Sequence, residues 1–311
     1  MTPWTSADIP PQHGRCAVVT GTGGLGFETA LALASAGAEV IVAGRNPAKG
    51  AEAVDKIRAA ASAANIRFEL LDLASLASVA DFAARLWDQR VSLDILVNNA
   101  GIMRPPTWQP TTDGFELQLG TNYLGHYALT GLLMPLLMKG RKARVVTLSS
   151  VAARQGQINL DDINAESRYD PMPVYCQSKL ACLMFAFELE RRSVASGWGV
   201  ASMAAHPGVS RTDLLHNAPG RRSAIGITRS LLWFLFQPAA QGALPTLFAA
   251  TAPQAKGGGS YGPDGLAEIR GYPAPSKIPA QALDQTVATR LWEISEELTG
   301  NPFANTTAPS T

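Results

Sequence analysis

Short β-branched runs alternate along the chain with Ala/Leu-rich stretches of helical period. The runs at 17–20, 39–43, 68–71, 95–97, 143–148 and 201–205 predict strands, with a shorter one at 260–261. Between them helical patterns cover about 24–36, 47–62, 75–90, 111–138, 173–196 and 239–251, and a terminal helix over 279–299 stops at Gly300-Asn301-Pro302. Cys16-Ala17-Val18-Val19 is apolar without a break, as a strand covered on both faces requires. Such alternation predicts an α/β fold, a doubly wound parallel sheet with helices on both faces. No linker-like stretch interrupts it, so one domain is expected over residues 14–300, with tails at 1–13 and 301–311. Ligands of such sheets lie outside the carboxyl ends of the strands, and the distinctive residues of this chain follow strand ends.

Thr20-Gly21-Thr22-Gly23-Gly24-Leu25-Gly26 joins the first strand to the first helix. Counted from Gly21 it spells G-x-G-x-x-G; counted from Thr20 it is T-G-x-x-x-G-x-G, one residue short. Glycines there let the backbone approach a pyrophosphate, and the helix N-terminus offers unpaired N–H groups. Gly21, Thr22, Gly24, Leu25 and Gly26 are therefore cofactor candidates, against the plainer reading of a structural turn. Arg45, followed by Asn46, ends the second strand, where an NAD-binding unit carries an acid for the ribose 2′-hydroxyl. No Asp or Glu lies within 40–46, and a guanidinium suits a 2′-phosphate. NADP(H) is expected rather than NAD(H), the alternative being a solvated strand-end charge. Asp72-Leu73 reads equally as an adenine contact or a turn. Asn98-Asn99-Ala100-Gly101 reads as an Asn/Gly turn or as a wall beside the cofactor, with Asn98, Ala100 and Gly101 as candidates.

Tyr175-Cys176-Gln177-Ser178-Lys179 places a phenol and an ammonium at i and i+4, on one helix face. A free phenol titrates near pH 10, and moving it about three units takes roughly 4 kcal/mol of differential interaction. A close cation supplies interaction of that sign. Tyr-x-x-x-Lys also occurs by chance, but Ser149-Ser150 ends the fifth strand, Asn122 lies in the helix after the fourth, and His206-Pro207-Gly208-Val209-Ser210-Arg211-Thr212 follows the sixth.

The ordered set of Gly-rich turn, Asn98–Gly101, Asn122, Ser150, Tyr175, Lys179 and Pro207-Gly208 to Thr212 resembles the short-chain dehydrogenase/reductase family over roughly residues 14–300. Glu28-Thr29-Ala30, Ala43-Gly44-Arg45-Asn46, Tyr175–Leu180 and Leu291–Leu298 resemble its retinol-dehydrogenase branch most. The glycine turn then reads as the family's T-G-x-x-x-G-x-G, shortened by one residue. The resemblance implies a Rossmann fold and an oxidoreductase that moves a hydride between nicotinamide and a carbonyl or alcohol carbon. It implies Tyr175 as general acid/base and Lys179 as the cation that lowers its pKa and binds the nicotinamide ribose. Ser150, rather than Ser149, would orient the substrate carbonyl, and Asn122 would support a water path to Lys179. Asn98 and Ala100 would line the ribose, while Thr212, after Pro207, Gly208 and Val209, would bind the carboxamide.

Composition narrows this picture. The 311 residues are 46% hydrophobic and 16% charged with net charge +1, so the chain is globular and nothing recommends nucleic acid as partner. Three cysteines (Cys16, Cys176, Cys182) lack metal spacing and favour a reducing compartment. The first residues hold no apolar core, and the densest apolar run, 231–236, is far too short to span a bilayer, so a cytoplasmic protein is expected. His206 reads as a packing residue before Pro207 rather than as a base. The apolar helix at 124–138 reads as buried, or as shared with a second copy in a homo-oligomer. The family's lid would fall on 211–236, whose apolar end reads as core packing, as a peripheral membrane contact, or as the wall of a pocket for a hydrophobic ketone, aldehyde or alcohol. Two other readings remain: a catalytically idle NADP-binding regulator, and a C=C reductase on the same fold.

Overall fold

Alternate residues of the first strand feed two different cores. In the computed structural model, which describes residues 3–210 and 237–303, Cys16 and Val18 pack on one side of the sheet and Ala17 and Val19 on the other. The strands are β1 (Cys16–Thr20), β2 (Glu39–Gly44), β3 (Asn65–Leu70), β4 (Ile95–Asn98), β5 (Arg144–Leu148), β6 (Ala201–Ala205), β7 (Ser260–Pro263) and β8 (Pro273–Pro275). They join in the order β3-β2-β1-β4-β5-β6-β7-β8. All neighbours are parallel except β7 and β8.

The helices are α1 (Gly24–Ser35), α2 (Pro47–Ala60), α3 (Leu76–Gln89), α4 (Gly125–Leu137), α5 (Pro171–Ser196), α6 (Leu244–Thr251) and α7 (Gln285–Thr299). Residues of α1, α2 and α6 pack on one face with Ala17 and Val19. Those of α3, α4, α5 and α7 pack on the other. The expected doubly wound sheet is present. The strand order reverses between β1 and β4, and the crevice at such a reversal is where this architecture binds ligands.

Several boundaries differ from the sequence expectation. β3 begins at Asn65 rather than 68, because the polar residues Asn65, Arg67 and Glu69 alternate along an edge strand with the buried Ile66. The helix expected over 111–138 forms only from Leu117; before it, Pro110 bridges Glu116 and the Phe115 amide donates to Thr111 Oγ1. After one α-helical stretch at Leu117–Leu119, it runs through a π-turn at Gly120–Leu124 before α4. Almost every residue of α4 is buried within this one chain. The terminal helix starts at Gln285, capped by the Asp284 carboxylate, which accepts from Thr286 and Val287 amides at 3.0 Å. β8 was not expected, because Pro273-Ala274-Pro275 cannot form a full ladder; it stands at the sheet edge, where proline is tolerated and blocks further pairing. No described helix is long and apolar enough to cross a membrane. Thr212 and the stretch 211–236 lie outside the described residues.

Candidate active site

Thr20 ends β1, and its hydroxyl accepts from the backbone N–H groups of Asn99 and Ala100, each at 2.9 Å. Asn99 Nδ2 donates back to Thr20 O at 2.6 Å. His126, the second residue of α4, completes the knot. Its Nδ1 lies 2.9 Å from the Asn122 carbonyl, which can only accept, so Nδ1 carries the hydrogen and Nε2 accepts from Thr20 Oγ1 at 2.9 Å. Burial pushes the imidazole down to about 4 and keeps it neutral. The Gly-rich turn, the turn after β4 and α4 are thereby one rigid unit.

Within that unit the glycines are required. Gly21 has φ +96° and Gly24 φ +51°, both in the left-handed region. A Cβ on Gly26 would sit 2.3 Å from Gly21 O and 2.7 Å from Asn99 Nδ2. α1 starts at Gly24 with Gly23 as N-cap, and no side chain caps its first amides. A turn stripped of side chains and a free helix N-terminus together fit a nucleotide pyrophosphate.

A cavity of about 610 Å³ opens at the carboxyl ends of β1, β4, β5 and β6. Gly21, Thr22, Gly23, Gly24, Leu25 and Lys49 line one end, and Asn99, Ala100 and Gly101 the floor. Ser149, Ser150, Tyr175 and Lys179 line one wall, and Pro207 to Ser210, after the neighbouring strand β6, line the next. Ile102, Met103, Pro105, Leu117, Val151 and Met172 make an apolar mouth.

Tyr175 and Lys179 sit on α5, which starts at Pro171 under the Asp170 cap. Both are buried, at 5% exposure each. Lys179 Nζ donates to Leu148 O at 3.2 Å. Ser150 caps the turn Val151–Gln155, accepting from Ala152 N at 3.2 Å, whereas Ser149 is spent on the Lys179 carbonyl at 2.7 Å. Ser150, not Ser149, keeps a hydroxyl hydrogen for the cavity. The sequence implied a phenol lowered by Lys179. In this geometry burial pushes the Tyr175 phenol well above its ordinary value, with Ser150 working in the opposite direction. Burial likewise lowers the Lys179 ammonium. Desolvation penalises each charged form and is the leading cause of both shifts.

Asn122 lies in the π-turn and ties α5 to the floor. Its Oδ1 accepts from Ile102 N at 2.8 Å, and Nδ2 donates to Ile102 O and Ser178 Oγ, both at 3.0 Å. Its carbonyl accepts from His126 Nδ1 and, at 3.2 Å, from the Cys182 thiol. A Cβ on Gly101 would stand 3.1 Å from Asn122 Oδ1 and 3.5 Å from Lys179 Nζ. Asn122, Gly101 and Lys179 are thus immediate neighbours.

Other candidates fall outside the cavity lining. Asn98 is buried and donates to Thr130 Oγ1 at 3.0 Å, so its side chain turns toward α4; the next residue, Asn99, reaches the cavity. Asp72 Oδ1 accepts from Ala74 N at 3.0 Å, and Leu73 is buried against Gly125. Gly26 lies beneath the turn. Arg45 is exposed at the end of β2, and Asn46 caps α2 by accepting from Lys49 N at 3.0 Å. Lys49 lines the cavity and was missed; it stands in the first turn of α2, and only the fold brings it to the same cavity as the glycine turn.

The chain matches the short chain dehydrogenase family over residues 15–222, and it belongs to that family, whose oxidoreductases bind nicotinamide cofactors. Within it the chain falls in the retinol-dehydrogenase-like branch. It is 40% identical over 308 residues to mouse retinol dehydrogenase 13, covering 97% of this chain and 87% of the relative. Mouse polyprenol dehydrogenase is 42% identical over 299 residues, covering 94% and 86%. The solved structure of an uncharacterised Mycobacterium paratuberculosis protein superposes with TM-score 0.80 at 40% identity, covering 97% of this chain and 99% of that one. The Pseudomonas aeruginosa RhlG/NADP active-site complex, 23% identical with TM-score 0.63 over 80% and 94% of the two chains, shares the fold.

Proposed function

We propose that this protein is an NADP(H)-dependent carbonyl reductase or alcohol dehydrogenase for a long apolar aldehyde, ketone or alcohol. One observation carries the reading: Tyr175, Lys179 and Ser150 open onto the same cavity as the Gly-rich turn, so phenol and nucleotide cradle face one volume. Bound there, the nicotinamide would supply or accept the hydride. Ser150 donates to the substrate oxygen, and Tyr175 transfers a proton at that oxygen. Lys179, held by Leu148 O, would bind the nicotinamide ribose, and Asn122 fixes the floor beside it. A water path from Asn122 would refill the proton.

Arg45 and Lys49 support the choice of NADP(H), since two cations at the end of β2 and the start of α2 suit a 2′-phosphate. The apolar mouth supports the substrate class, as do relatives named for retinol and polyprenol. NADPH oxidation, followed by absorbance across carbonyls from short and polar to long and apolar, tests the whole. The expected order of kcat/KM rises with apolar length; NADH preferred over NADPH, or no turnover of any carbonyl, would overturn it.

A further inference from the structure

Behind the cavity one carboxylate joins two walls of the site. Glu268 Oε2 lies 2.7 Å from His206 Nε2 and 2.6 Å from Arg154 Nη2, the latter an ion pair without hydrogen-bond alignment. Its Oε1 accepts from Lys277 N at 2.8 Å. The Gly208 amide donates to His206 Nδ1 at 3.2 Å, so Nδ1 is bare and Nε2 carries the hydrogen toward Glu268. His206 thereby relays the carboxylate to the Pro207–Ser210 turn. Arg154 belongs to the turn Val151–Gln155, whose cap is Ser150. Through two side chains Glu268 therefore holds both the Ser150 wall and the Pro207–Ser210 wall.

The backbone around it is built for this contact. Val209 N donates to Ile269 O at 2.8 Å. Gly208 has φ +63°, and a Cβ there would lie 2.3 Å from Ile269 O and 2.8 Å from Glu268 O. A Cβ on Gly262 would meet His206 Nε2 at 2.2 Å, so the ring is pressed flat on β7. Ala267 and Glu268 have φ +53° and +58°. Two successive side-chain-bearing residues in the left-handed region persist only where their surroundings over-determine them, and such strain gathers at functional sites. Burial alone would raise the Glu268 carboxyl. The hydrogen bonds from His206 and the Lys277 amide, and the charge of Arg154, prevail and hold it below its usual range.

We infer that Glu268 is a positioning residue for the hydride-transfer geometry, setting the separation between the Ser150 turn and the Pro207–Ser210 turn through Arg154 and His206. This rests on the functional reading above, in which the two turns flank the nicotinamide and the carbonyl. Its role is at a distance: it lines neither wall of the cavity.

Two variants test it. Glu268→Gly removes the carboxylate while allowing φ +58° without strain, so a merely structural Glu268 would lower the melting temperature through its lost partners and leave kcat of the folded protein at the wild-type value. Glu268→Gln keeps an acceptor for His206 and loses the charge facing Arg154. With saturating NADPH and a long apolar aldehyde, kcat of Glu268→Gly should fall roughly ten- to a hundred-fold with aldehyde KM little changed, as misplacement of reacting groups predicts. Glu268→Gln should fall between the two, and amide hydrogen exchange at Gly208 and Val209 should quicken in both. Wild-type kcat in Glu268→Gly overturns the inference. Should Glu268→Gly fail to fold, Glu268→Gln decides: reduced kcat at unchanged melting temperature supports it, and wild-type kcat overturns it. If wild type turns over no carbonyl, the functional reading fails separately. Exchange then judges the inference, and unchanged protection at Gly208 and Val209 in a folded variant overturns it.

Discussion

A phenol and an ammonium one helical turn apart are both pushed by burial toward their neutral forms, the Tyr175 pKa up and that of Lys179 down. For a general acid this has a direct consequence. A raised phenol stays protonated through neutral pH, so the proton that carbonyl reduction needs is available there and is lost only on the alkaline side. Reductive kcat/KM should be flat across neutral pH and fall at alkaline pH, while the oxidative direction, which needs the phenolate, should rise over the same range. Opposite slopes, or a bell centred below neutrality, would assign the proton transfer elsewhere. Also at this scale, Arg45→Asp should weaken NADPH far more than NADH, and Lys49→Ala should do so to a smaller degree; the ratio of dissociation constants checks it. Equal losses for both cofactors would remove the 2′-phosphate from the account. Tyr175, Lys179 and Ser150 were legible in the sequence because their chemistry sits at strand ends and at i, i+4. Lys49 and Glu268 were not: each gains its place from a partner distant in the chain, Lys49 facing the glycine turn and Glu268 meeting His206 and Arg154.

At the scale of the element, turns carry the site and strands only present them. The glycine turn closes so tightly that a methyl at Gly26 would meet the Gly21 carbonyl at 2.3 Å. Since backbone cannot yield as a side-chain tip can, Gly26→Ala should cost about 1–3 kcal/mol by overpacking. It should also weaken NADPH binding; calorimetric unfolding and cofactor titration read the two effects. A variant with unchanged melting and affinity would show that the turn has slack. The turn was readable from its glycines, and α1, α2 and α5 from periodicity and caps. β3 was half-missed because its alternation of polar and apolar residues at 65–70 was passed over for the continuous apolar pattern of central strands. β8 carries no sequence signal at all, two of its three residues being proline. The π-turn at Gly120–Leu124 is equally silent, although it carries Asn122, whose carbonyl accepts from His126 and Cys182.

Across the whole molecule, the sheet separates two cores with different tasks. The core beneath α4 and α5 is closed by an aromatic cluster, in which Trp292 stacks on Phe185 at 5.8 Å and meets Tyr127 at 5.1 Å and Phe303 at 4.5 Å. Helix α7 thereby backs the helix that carries Tyr175 and Lys179. Trp292→Ala should destabilise the fold by about 3–5 kcal/mol and lower the melting temperature, while residual folded protein keeps its cofactor preference. A loss of preference at intact stability would mean that α7 acts on the nucleotide end, which no described contact suggests. The central claim is that one cavity holds nucleotide and phenol together, with Tyr175 moving the proton. The most direct measurement pairs NADPH titration by fluorescence with NADPH oxidation in the presence of a long apolar aldehyde, for wild type and Tyr175→Phe. Wild type should bind NADPH and turn over, and Tyr175→Phe should bind NADPH with nearly wild-type affinity and not turn over. A Tyr175→Phe protein that oxidises NADPH at close to the wild-type rate would contradict the central claim.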